Sequence, residues 1–129
     1  MATPLHILIV DDSPQDADRI LRALRRGGYQ PMWKRVDTPG TLTAALTERA
    51  RAWDAVTCDD AMPQLRYLSA LHIVRALKPG IPFILVSNGG DDADATDVVQ
   101  RNACGIVRKN RLDDLPAVIA RAVRAAPRA

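Results

Sequence analysis

The sequence predicts a doubly wound α/β domain with a parallel sheet, and three observations lead to it. Short apolar runs at 7–10, 54–58, 82–86 and 104–108 alternate with segments whose apolar residues recur at helical spacing. Residues that start and stop helices fall between them. No repeat, linker or low-complexity stretch interrupts the alternation, so the 129 residues read as one domain over 1–129. Strands that alternate with helices pair in parallel and are covered on both faces. Right-handed crossovers restrict such a chain to a few topologies.

The elements follow in order. Ile7 to Val10 form a continuous apolar run, as in a strand buried on both faces, and the run stops on Asp11 and Asp12. Ser13 then offers a hydroxyl cap, and Pro14 stands where a missing N–H costs nothing. Asp16 and Asp18 fall in the first turn, where the helix dipole favours acids. Ala17, Ile20, Leu21 and Leu24 keep the period, and Gly27-Gly28 ends the helix. Residues 31–36 read as a second, more exposed strand, and Thr38 caps a helix with Leu42, Ala45, Leu46 and Arg49 in period. The third strand, 54–58, ends on Asp59 and Asp60. A loop leads to a helix over 68–77, stopped by Pro79-Gly80. The fourth strand, 82–86, ends on Ser87. Residues 91–103 read as an acidic-ended helix, 104–108 as a fifth strand ending on Lys109, and 112–126 as a closing helix.

Several function classes are excluded by composition. No apolar run approaches the roughly 20 residues that cross a bilayer, and the N-terminus lacks the pattern of a secretion signal. A cytoplasmic protein without membrane contact is expected, with Cys58 and Cys104 as buried reduced thiols. The net charge of +3 is not spread as one basic stripe. Seven basic and two acidic residues lie from Arg101 to the end, whereas Ser87 to Asp97 carries four Asp and no base. That dipole argues against nucleic acid as a partner.

In doubly wound sheets, ligands sit outside the carboxyl ends of the strands. Asp11, Asp12, Asp59, Ser87 and Lys109 all gather there. Crowded carboxylates raise one another's pKa unless a cation compensates. Hard oxygen donors without nearby Cys or His suit Mg²⁺ or Mn²⁺. A lysine and a hydroxyl across the same pocket suit the spread charge of a transferring phosphoryl group, and a carboxylate can accept one covalently.

At these residues the whole chain resembles the receiver domain of two-component response regulators. The matching motifs are "ILIVDDS", "DAVTCDDAMP", "PFILVSN" and "CGIVRKNRLDDL". The resemblance implies a flavodoxin-like fold with sheet order 2-1-3-4-5 and five helices. Counting back from Met62-Pro63, it implies that Asp59 accepts the phosphoryl group. It makes Asp12, Asp59 and the carbonyl of Ala61 direct Mg²⁺ (or Mn²⁺) ligands, with Asp11 acting through bound water. Ser87 matches the switch hydroxyl and Lys109 the lysine that pairs with phosphoryl oxygens.

Several positions depart from the family's usual pattern. Arg66-Tyr67 replaces an Asp-Gly, Asn88 follows Ser87 in place of a smaller residue, and Ile106 replaces a strand-five aromatic. Asn110 replaces a cis proline. A non-proline cis bond costs roughly 3–4 kcal/mol, so a trans peptide is expected.

The resulting expectation is a stand-alone phosphoacceptor rather than an enzyme, limited to self-phosphorylation and autodephosphorylation. It would be phosphorylated by a histidine kinase or histidine phosphotransfer protein. A downstream protein would be contacted through the helix at 91–103, strand five and the closing helix, and a homodimer is compatible with that surface. The alternative is a pseudo-receiver that binds partners without phosphorylation. A metal-dependent phosphatase would need a second acid. Asp60 is the candidate, and it should point away from Asp59 on an extended backbone. His6 and His72 read as structural, not as phosphohistidine donors.

Overall fold

The computed structural model describes residues 2–48, 52–88 and 105–125. Five parallel strands, β1 (Thr3–Val10), β2 (Tyr29–Val36), β3 (Ala55–Asp59), β4 (Phe83–Ser87) and β5 (Gly105–Arg108), form one sheet in the order β2-β1-β3-β4-β5. Among the described residues the helices are α1 (Pro14–Arg26), α2 (Pro39–Thr47), α3 (Tyr67–Leu77) and α4 (Leu115–Ala125). The acidic helix expected over 91–103, Arg49 and Cys104 lie outside the described residues.

The caps form as their chemistry dictates. Ser13 Oγ accepts from the backbone N–H of Asp16 at 3.2 Å, with Pro14 opening α1. Thr38 and Thr41 complete a reciprocal capping box at the start of α2. At Arg66, which stands where an Asp-Gly is usual in the resembling family, no side chain caps α3. The closing helix starts later than its sequence pattern predicts. Lys109–Asp114 forms a 3-10 segment interrupted at Arg111, and α4 begins at Leu115. Pro116 explains the shift. In a helix already running from Leu112 it would remove a backbone bond and press its ring on the preceding turn, so it is tolerated only where a helix begins. No peptide among the described residues is cis, so Lys109–Asn110 is trans.

Alternation along the strands divides the core in two. Leu8, Val10, Val56, Cys58 and Phe83 face α2 and α3, packing with Leu42, Leu46, Trp53, Leu71 and Val74. Ile7, Ile9, Ala55, Ile84, Val86 and Val107 face α1 and α4, packing with Ile20, Leu24, Leu115 and Ile119. Trp53 ties the approach to β3 onto α2 by donating its indole N–H to the carbonyl of Ala45 at 3.0 Å. β2 lies at the sheet edge, with Met32 and Trp33 exposed.

The two α1-side helices meet at a glycine. A Cβ added at Gly27 would collide with the ring of Pro116, and Gly28 turns the chain toward β2 with φ +92°. Arg26 braces the same junction through Asp113 at 2.7 Å. We expect Gly27→Ala to lower stability by about 1–3 kcal/mol through overpacking. Adding Pro116→Ala should recover much of that loss, and urea denaturation of the single and double variants measures both.

Candidate functional site

Strand register and parity assemble the site. Val10 lies opposite Cys58 and Asp59 opposite Val86, so Asp11 and Asp59 stand side by side just where the sheet ends. Ser87 lies opposite Arg108, which brings the next residue, Lys109, to the same edge. Parity then selects the face. Ile7 and Ile9 point toward α1, and Asp11 continues their alternation. Asp59 falls on the opposite parity from Val56 and Cys58, which face α2 and α3, and so joins Asp11. Lys109 follows Val107 in the same way.

The geometry agrees with that placement. Lys109 Nζ lies 3.0 Å from Asp59 Oδ1 and 3.2 Å from Asp16 Oδ2. Asp11, Asp16 and Asp59 each present a carboxylate oxygen within 4.8 Å of the others. Asp11 is 1% exposed and Asp59 4%, so both carboxylates have left bulk water. One Asp11 oxygen accepts from the backbone N–H of Ser13 at 2.9 Å, while the other, Oδ2, is buried with no hydrogen-bond partner. The Ala61 N–H approaches Asp59 Oδ1 at 3.4 Å.

Electrostatics follow from burial. Desolvation pushes the Asp11 carboxyl up to about 6, against the Ser13 hydrogen bond and with help from the charges of Asp59 and Asp16. Burial alone would push the Lys109 ammonium down. Its hydrogen bonds and ion pairs with Asp59 and Asp16 outweigh that, and its pKa rises. Cys58, on the other face of β3, is driven well above the usual thiol range by burial and by the neighbouring acids, so it stays a thiol.

The sequence-predicted residues are distributed as follows. Asp11, Asp59 and Lys109 meet in one cluster, and Ser87 is buried at the end of β4. Asp12 is exposed and stands outside that cluster. Ala61 follows β3 in the loop to α3. Asp60 is separated from Asp59, and its Oδ2 accepts from the backbone N–H of Asn88 at 3.3 Å. His6 pairs with Asp54 beside the amino-terminal half of β1, and His72 is exposed on α3.

Sequence reasoning missed Asp16, which it treated only as an acid suited to a helix start. The signal was present. Asp16 precedes Ile20 by four residues and adjoins Ala17, so it lies on the buried stripe of α1 rather than on its solvent face.

Comparison with known proteins agrees with the fold and the motifs. The sequence pattern of the response regulator receiver domain matches residues 7–120. A probable transcriptional regulatory protein, TcrX, from Mycobacterium tuberculosis is 30% identical over 104 residues, covering 80% of this chain and 39% of that protein. The chain thus spans about two fifths of that relative's length. A receiver domain from Clostridium thermocellum superposes with a TM-score of 0.79 at 23% identity, over 93% of this chain and 94% of the other. The receiver domain of a sensor histidine kinase from Pseudomonas aeruginosa, solved with magnesium coordinated in its active-site cleft, gives 0.74 at 23% identity. That match spans 95% of this chain and all of that one (100%). The fold, the strand-end cluster and the match over residues 7–120 together make this chain a member of the response regulator receiver domain family.

Proposed function

We propose that the protein is a phosphoacceptor of a two-component relay, phosphorylated at Asp59. The observation that carries this reading is the pairing of buried Asp59 with Lys109 at 3.0 Å, beside an Asp11 carboxylate that has an unpartnered oxygen. The phosphoryl donor is a phosphohistidine of a histidine kinase or histidine phosphotransfer protein. An Asp59 oxygen attacks phosphorus, the O–P bond forms as the P–N bond breaks, and the imidazole leaves. Lys109 places its ammonium where the phosphoryl oxygens arrive, and the Ser87 hydroxyl serves as a further donor to them. Asp60, the extra acid that a hydrolase would use as its proton donor, is engaged by the backbone N–H of Asn88 and stands outside the Asp59 cluster, which favours acceptor chemistry over a hydrolase acting on external substrate.

The residues fit a divalent cation. A buried carboxylate oxygen with no partner, among hard oxygen donors, is the environment Mg²⁺ or Mn²⁺ takes. Asp11, Asp12, Asp59 and the carbonyl of Ala61 would hold it. When bound it would neutralise charge on the transferring phosphoryl oxygens. The chain's own part is to keep Asp11 and Asp59 adjacent and dry, and to hold Lys109 against Asp59.

The output is protein contact. β5 and α4 present Arg108, Arg121 and Arg124 to solvent beside Ile106 and Val123, each of the last two 40% exposed. This surface suits a downstream protein or a second copy of the chain, and the setting for such a relay is the cytoplasm. Among the described residues no helix is long and apolar enough to cross a membrane.

Incubation with Mg²⁺ and acetyl phosphate should add one phosphoryl group to the intact mass, and Asp59→Asn should abolish the addition while its circular dichroism stays native. An unmodified wild type under saturating donor would replace this reading with a pseudo-receiver that binds partners without phosphorylation.

A second prediction concerns the metal-free pocket. The folded pKa of Asp11, about 6, exceeds its ordinary value of 3.8, so the folded state holds a proton that the unfolded state releases between the two. Stability therefore falls as pH rises from about 4 to about 6 and stays low above that, by up to about 3 kcal/mol. Asp11→Asn should melt above wild type at neutral pH without metal, lose that advantage below pH about 4, and respond less to Mg²⁺. Thermal melts across pH, with and without Mg²⁺, check it. Lower metal-free stability of the variant would make the Asp11 charge a structural necessity.

A further inference from the structure

Lys109 is shared between the phosphoacceptor and the first turn of α1. Its ammonium lies 3.0 Å from Asp59 Oδ1 and 3.2 Å from Asp16 Oδ2, and its side chain is 19% exposed. Asp16 is fixed for this contact. Its backbone N–H is held by the Ser13 hydroxyl at 3.2 Å, and its other oxygen reaches Arg19 only at 4.0 Å. The remaining neighbour of the cluster, Asp11, adds a third carboxylate to a single ammonium.

We propose that Asp16 is a positioning residue for phosphoryl capture. It holds Lys109 beside Asp59 while sharing its positive charge, so that a phosphoryl group on Asp59 must draw Lys109 away from Asp16. This deepens the reading of Asp59 as phosphoacceptor and rests on it. A phosphoryl group brings about −1.5 to −2 charge in place of a single carboxylate charge. Asp16 opposes that gain twice, as a competitor for the ammonium and as a nearby like charge within 4.8 Å of the Asp59 carboxylate. Both effects disfavour the phosphorylated form, so Asp16 sets how readily Asp59 is occupied and how quickly Lys109 returns. Its contact also couples pocket occupancy to the start of α1, because the residue that competes for Lys109 is the third of that helix.

Titration with beryllofluoride, a phosphoryl mimic, at saturating Mg²⁺ tests the proposal, followed through the amide signals of Asp59 and Lys109. Asp16→Asn keeps an oxygen for Lys109 to bond but removes the charge, and it should bind beryllofluoride about three- to tenfold more tightly than wild type. The same variant, phosphorylated with acetyl phosphate, should hold its phosphoryl group longer. Asp16→Glu, which retains the charge, should stay near wild type. Asp18→Asn should leave the affinity unchanged, because Asp18 pairs with Arg22 on α1, at 2.9 Å, and is not part of the cluster. Equal or weaker binding by Asp16→Asn overturns the proposal. If its Mg²⁺ affinity has also fallen, Asp16 is a cation ligand instead. Equal tightening in Asp18→Asn overturns it in favour of a general charge effect. A wild type that does not bind beryllofluoride overturns the reading of Asp59 itself, and this inference with it.

Discussion

Three carboxylates around one ammonium is the constraint to which the carboxyl-terminal edge of this sheet is built. Asp11, Asp16 and Asp59 come from β1, α1 and β3, and Lys109 arrives from beyond β5. None of these groups would be stable there alone, since a buried charge without a partner is costly. The compensation is partial. Lys109 is drawn to two of the acids, while Asp11 is left with a raised pKa and an unpartnered oxygen. The fold tolerates that imbalance because the rest of both faces is aliphatic and closely packed. A site kept short of positive charge attracts cations, and that is the property the proposed chemistry would use.

Much of this was legible in the sequence because strand ends are punctuated. An apolar run that stops on a polar residue locates both the strand and the group it delivers, and Asp11, Asp59, Ser87 and Lys109 all read that way. The separation of Asp59 from Asp60 was legible too, since alternation puts neighbours on opposite faces. Burial was less so. The sequence shows Asp11 and Asp12 as equals. Only the packing of Ile7 and Ile9 against α1 makes Asp11 the buried member and leaves Asp12 exposed. Asp16 was obscured for a different reason. An acid in the first helical turn is already explained by the dipole, so its second use left no separate mark. The start of α4 was misjudged because apolar periodicity runs back through Leu112, whereas the Pro116 ring decides where helical bonding can begin.

The junction opposite the site has its own logic. α1 is tied to the segment preceding α4 near both of its ends, by Asp16 to Lys109 at one and by Arg26 to Asp113 at the other. Gly27 lets the Pro116 ring close the gap between the two helices. The face that carries the acids is therefore also one where helix and loop are joined at two points. A change at Lys109 is delivered to a braced unit rather than to a free loop.

Parity has one more consequence, for tolerance to error. Both β1 and β3 end on doubled aspartates, so a slip of either strand by one residue would still bring a carboxylate to the α1 face: Asp12 in place of Asp11, or Asp60 in place of Asp59. The chemistry of the edge would survive such a slip in kind. The core would not, because Leu8, Val10, Val56 and Cys58 would trade faces with Ile7, Ile9, Ala55 and Thr57, and every contact with the covering helices would be lost. The aliphatic interior, not the charged edge, therefore proofreads which aspartate of each pair is buried on the α1 face.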